Sequence, residues 1–148
     1  MDNERIREIC LALPYTAETL NWGSVLVYWV GDRAIGGKMF AIADADGLGP
    51  NVLSYAAGPE RYHELLEIEG IVPAPHLARA HWVAVQRWDT LRPRQFEEEL
   101  RLAHALILAK LPKRTRQVLE LPEKERNRLI REATRERKAA PAKKAKRD

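Results

Sequence analysis

The segment Val25–Val30, VLVYWV, is dense in β-branched and aromatic residues, and an apolar run, MFAIA, returns only eight residues beyond its end. Such composition fits a pleated surface better than a helix, so the pair is expected to form neighbouring antiparallel strands. Gly31-Asp32 offers a two-residue turn that starts with glycine at positive φ, and RAIGGKMFAIA is then the returning strand. A hairpin of this kind needs further strands and a covering layer, and the flanking sequence supplies both.

Asp2 can cap a helix whose apolar positions Ile6, Ile9, Cys10 and Leu13 follow the i, i+3, i+4, i+7 rhythm, with Pro14 ending it. NVLSYA, Asn51–Ala56, reads as a third strand. Gly58-Pro59 then opens a helix with Tyr62, Leu65 and Leu66 inward, and Gly70 stops it. The two prolines between Ile71 and Arg79 suggest a surface loop, and HWVAVQRW, His81–Trp88, alternates as another strand. From Pro93 to Leu111 a helix aligns Phe96, Leu100, Ala103 and Ile107 on one stripe until Pro112 closes it. The expected fold is α+β, a two-layer arrangement of an antiparallel sheet with helices packed on it.

Beyond Pro112 the composition changes. Residues 1–109 carry ten Lys/Arg against fifteen Asp/Glu, whereas residues 110–148 carry fifteen against six. The overall charge of +4 therefore belongs to the C-terminal quarter, and a polyanionic partner would be held there. Within 113–138, a basic helical extension, Pro122–Lys138 contains good helix formers with only Leu129, Ile130 and Ala133 as an apolar patch. It reads as a weakly anchored, mostly solvated helix. Residues 139–148, within AAPAKKAKRD, have the composition of a disordered Lys-rich tail. The folded domain is expected to span 1–112.

No familiar catalytic pattern emerges. Gly36, Gly37 and Lys38 lack the spacing of a phosphate loop and precede a strand. A calcium loop from Asp44 would have Leu48 and Tyr55 at its fifth and twelfth positions. His63, His76, His81 and His104 show no i, i+4 pair for a metal, and neither Ser24 nor Ser54 sits in a G-x-S-x-G turn. Cys10, the sole cysteine, falls on a buried stripe and makes no intrachain disulfide, which fits a reducing, cytoplasmic setting. No apolar run has the length of a membrane helix, and the N-terminus is charged where a signal peptide would be hydrophobic. Neither a metal nor a cofactor is expected.

Trp22, Trp29 and Trp82 stand in strand-like apolar surroundings and are read as core, while Trp88 beside Arg87 is the candidate for an exposed stacking ring. Glu18, between Pro14 and Trp22-Gly23, is read first as a cap or turn carboxylate and secondarily as a site residue.

LPYTAETLNWG, GGKMFAIAD, GIVPAPHLARAHWVAV and LILAKLPKR, in that order, resemble the MmcQ/YjbR-like family of small bacterial proteins from about Arg5 to Arg114. The family's Leu-Pro step matches Leu13-Pro14, its acidic position Glu18, its Trp-Gly Trp22-Gly23, and its Lys-x-Phe strand Lys38 to Phe40. Its later elements match Pro73 to Leu77 and Trp82-Val83. Where many members have a Ser-aromatic pair in the last core helix, Ala103-His104 stands here. The resemblance implies a two-layer α+β fold without established enzyme activity or cofactor, and members are commonly labelled DNA-binding.

Charge and resemblance together lead to the expectation of a non-enzymatic protein that binds DNA weakly, with little sequence preference. The residues expected to meet phosphate are Lys113, Arg114 and Arg116, then Arg126, Arg128, Arg131 and Arg135, and finally Lys143, Lys144, Lys146 and Arg147. The alternative is a protein- or small-ligand-binding adaptor whose groove gathers Glu18, Trp22, Lys38, His81 and Trp82. An unrecognised enzyme using Glu18 or His81 as acid or base ranks last, since no nucleophile, metal set or cofactor loop accompanies them.

Overall fold

The computed structural model describes the backbone of residues 1–147 and the side chains of residues 1–139, Trp22 excepted in both. In chain order the elements are α1 (Asn3–Ala12), β1 (Thr16–Asn21), β2 (Val25–Val30), β3 (Lys38–Asp44), β4 (Leu53–Ala56), α2 (Tyr62–Leu66), β5 (Ile71–Pro73), β6 (Trp82–Val85), α3 (Pro93–Lys110), α4 (Lys113–Leu119) and α5 (Glu123–Arg147). Six strands form one antiparallel sheet in the order β1-β2-β3-β4-β6-β5. Helices pack on it, which makes the fold α+β.

Local chemistry explains the borders. The Asp2 carboxylate accepts from the Arg5 backbone N–H at 2.8 Å, satisfying one of the free donors at the start of α1. Pro93 opens α3 where a missing N–H costs nothing, and the Arg92 N–H donates to the Gln95 side chain at 2.8 Å. Phe96, Leu100, Ala103 and Ile107 turn to the sheet as the heptad-like spacing requires. Each large member, fully buried, contributes about 1.5–3 kcal/mol. His104 lies on the same face, edge-on to Phe40 at 5.3 Å, and its Nε2–H donates to the Pro14 carbonyl at 2.7 Å. That bond ties α3 to the corner between α1 and β1.

Several expectations are corrected. The Gly31-Asp32 turn is replaced by a longer connection containing a 3-10 turn, Arg33–Ile35, so the returning strand starts at Lys38. The Asp32 carboxylate accepts from the Ala34 N–H at 2.8 Å, and Gly36 closes the turn at φ 90°. A Cβ on Gly36 would lie 2.5 Å from the Thr115 hydroxyl, and one on Gly37 would overlap the Gly31 carbonyl oxygen. Gly37 is therefore required by close backbone approach, and Gly36 by its positive φ and the Thr115 side chain packed on it. Thr16–Asn21 forms an edge strand despite its polar composition, and Ile71–Pro73 pairs with β6 instead of wandering across the surface. The β6 strand is shorter than His81–Trp88, and all four of its residues are buried because β4 and β5 flank it. Trp88 is half-buried against Phe96, at 5.9 Å between rings, where an exposed ring was expected.

The core does not end at Pro112. Leu111 and Leu119 belong to the same hydrophobic cluster as Ile6 and Phe40, which places α4 within the folded body. The expected disordered segment, residues 139–148, lies from residue 140 onward outside the residues whose side chains are described.

Two outcomes follow from this packing. Replacing Gly37 by Ala forces a methyl into the Gly31 carbonyl and lowers stability by about 1–3 kcal/mol, seen as an earlier urea midpoint at unchanged slope. The Cys10 thiol is completely buried, and desolvation, with Glu18 nearby as a lesser cause, pushes its pKa up to about 12. It stays protonated at pH 8, so an aromatic disulfide reagent reads no thiol in the native protein and one after denaturation.

Candidate nucleic-acid interface

The C-terminal helices are held by a small number of directional contacts. In α4, Thr115 is buried and its hydroxyl donates to the Ile35 carbonyl at 2.9 Å, while Leu119 fills the space beside Gly31. The following helix, α5, packs against the 3-10 turn through its half-buried Leu129, Ile130 and Ala133. Arg126 donates to the Leu119 carbonyl at 3.2 Å and sits 5.7 Å from the centre of the Tyr15 ring. Arg137 donates to the Arg33 carbonyl at 3.1 Å. Arg126, expected among the phosphate contacts, is therefore a packing residue that closes the end of α4.

On the other side of α5, Lys124, Arg128, Arg131, Arg135 and Lys138 recur at intervals of 4, 3, 4 and 3 residues, and all five are exposed. That rhythm follows the helical period, so they form one stripe turned away from Leu129, Ile130 and Ala133. The fourteen helical steps from Lys124 to Lys138 give the stripe a length of about 21 Å. Sequence reading identified Arg128, Arg131 and Arg135 but missed Lys124 and Lys138; the 4-3-4-3 spacing was the available signal. Arg128 lies 4.0 Å from Glu125, an exposed pair worth little. Among the described residues no salt bridge engages Lys124, Arg131, Arg135 or Lys138.

The flank of α5 next to this stripe carries exposed Glu125, Glu132 and Glu136. Glu132 and Glu136 share a cleft of about 530 Å³ with Arg114, Val118 and Ile35, which offsets the Arg114 charge. Lys113 and Arg116 are exposed on α4. Lys143, Lys144, Lys146 and Arg147 lie outside the residues whose side chains are described.

The candidate groove is not assembled. Glu18 on β1 and Trp82 on β6 are separated by four strand spacings, roughly 19 Å. Lys38 is exposed at the start of β3, His81 packs edge-on to Tyr62 at 5.3 Å, and Trp22 lies outside the described residues. Glu18 is neither a cap nor a turn carboxylate. It faces α1, where Arg7 Nε donates to its oxygens at 3.0 and 3.2 Å. The Tyr28 hydroxyl approaches Glu18 without completing a hydrogen bond, and burial together with that carboxylate raises its pKa.

A second carboxylate, this one buried, is similarly engaged. Glu99 of α3 receives both terminal nitrogens of Arg61, at 2.6 and 2.7 Å, in a bidentate pair beneath which the Tyr55 hydroxyl lies buried. Desolvation, and to a lesser degree Glu99, raises the tyrosine pKa, and the Glu99 hydrogen bond raises that of Arg61. These groups hold α3 and the segment before α2 together. Among the described residues no three His, Cys, Asp or Glu side chains gather as a metal-ligand set, and no helix is long and apolar enough to cross a membrane.

Known proteins bear on this architecture. The YjbR family model matches residues 11–106, which end before α4. A crystal structure of Deinococcus radiodurans protein DR2400, which carries a DUF419 domain, is similar with a TM-score of 0.70 and 31% sequence identity. The likeness covers 82% of this chain and 90% of that one. No curated protein matches. The match over most of the α+β body and the shared fold identify the chain as a member of the YjbR family.

Proposed function

We infer that the protein is a non-enzymatic DNA-binding module that holds duplex weakly and with little sequence preference through its C-terminal helices. The observation that carries this reading is the outward stripe of Lys124, Arg128, Arg131, Arg135 and Lys138 on α5. Long cationic side chains on a rigid rod meet successive phosphates and release condensed counterions without touching base edges. The packing contacts of Arg126 and Arg137 fix the rod to the body, so the stripe is presented in one orientation. Acidic residues on the neighbouring flank, and on α2 and α3, keep the contact one-sided. Lys113 and Arg116 extend the footprint, and Lys143, Lys144, Lys146 and Arg147 add to it.

Titration of a fluorescently labelled duplex at several salt concentrations tests this. The five stripe cations alone give a slope of log K against log salt of about −4.5, so affinity drops by at least about 500-fold between 50 and 200 mM. The variant Arg128→Gln/Arg131→Gln/Arg135→Gln flattens the slope by about 3, while duplexes of unrelated sequence bind the parent alike. An unchanged slope in the variant, or no association of the full chain at low salt, defeats the reading.

A further inference from the structure

The helix α3 has a second apolar face that the sheet does not use. Leu102 is 48% exposed, Leu106 is half-buried, and Ala105 and Ala109 are exposed beside them. Between this face and the segment from Ala57 to Arg61 runs a groove of about 480 Å³ lined by Gly58, Pro59, Leu102, Ala105, Leu106 and Lys110. Gly58 keeps it open, since a Cβ there would approach Leu106 to 3.0 Å. Nothing in the folded chain fills the groove among the described residues.

We propose that this face pairs with the same face of a second copy, α3 against α3 in antiparallel orientation. The argument rests on a self-complementary order. Glu98, Leu102, Leu106 and Lys110 follow one another at intervals of four, along one inclined ridge of the helix. A two-fold axis at the level of residue 104 sets Leu102 against the partner's Leu106 and Glu98 against the partner's Lys110. That ion pair then occurs twice, once at each end of the apolar seam. A parallel pair would instead oppose like charges. Neither Glu98 nor Lys110 has an ion-pair partner among the described residues, whereas the neighbouring Arg101 is engaged by Glu97 at 2.8 Å and lies off the seam. Ala105 and Ala109 permit the close helix approach that such a contact requires.

The seam from Glu98 to Lys110 is about 18 Å long, short of a permanent interface. The dimer is accordingly concentration-dependent, with a dissociation constant of about 10–100 μM. It does not use the α5 stripe, so it stands or falls apart from the DNA reading.

Sedimentation equilibrium of the full chain up to about 1 mM tests the proposal. Leu102→Glu, at an exposed position, abolishes association while leaving the urea midpoint unchanged. Glu98→Lys alone weakens the dimer about tenfold by facing the partner's Lys110, and adding Lys110→Glu restores it to within about twofold. A monomer throughout the range overturns the proposal. So does a dimer indifferent to Leu102→Glu, and failure of the double exchange to recover association overturns the antiparallel register.

Discussion

The contact of Gly37 with the Gly31 carbonyl is the constraint on which the C-terminal half depends. It lets the chain leave β2, make a single 3-10 turn and re-enter as β3 within a few residues. The turn then stands at the end of the sheet with two backbone carbonyls turned outward, and those carbonyls receive Thr115 from α4 and Arg137 from α5. A wider loop would leave both helices without a seat. Sequence glycines that resemble a ligand cradle thus serve the docking of helices some eighty and a hundred residues later.

Charge is sorted by the same arrangement. The 3-10 turn joins β2 to β3, near the β1 edge of the sheet, and α5 lies against it; α2, with exposed Glu64 on it and Glu67 just after it, joins β4 to β5 at the opposite edge. The molecule is therefore electrically polar although its overall charge is only +4. Fields of that kind orient an approaching polyanion before any contact forms.

Elements with a strong period were apparent from sequence alone. Apolar residues of α1 and α3 sit every three or four positions, and both helices occur where that spacing placed them. β2 and most of β3 were readable because their β-branched and aromatic content leaves few alternatives. By contrast β1, TAETLN, is an edge strand whose membership comes from backbone pairing to β2, and backbone pairing has no side-chain signature. β5 is three residues ending in proline and exists only because β6 lies beside it. The site divides in the same way. Positive charge on α5 was evident in composition, but which arginines face solvent depends on the buried side of α5, and Arg126 and Arg137 were drawn to backbone carbonyls. The groove expected from Glu18, Lys38 and Trp82 assumed a neighbourhood that strand order does not provide.

Cys10 has a consequence beyond packing. It is the chain's only sulfhydryl, and it is sealed beneath α1 against the sheet. The native molecule is thereby insulated from swings in cellular redox state, with no handle for glutathione or for intermolecular bridging. Any cysteine engineered onto the surface becomes a unique point of attachment, so a spin label or dye can be placed on one chosen helix without first removing the natural residue.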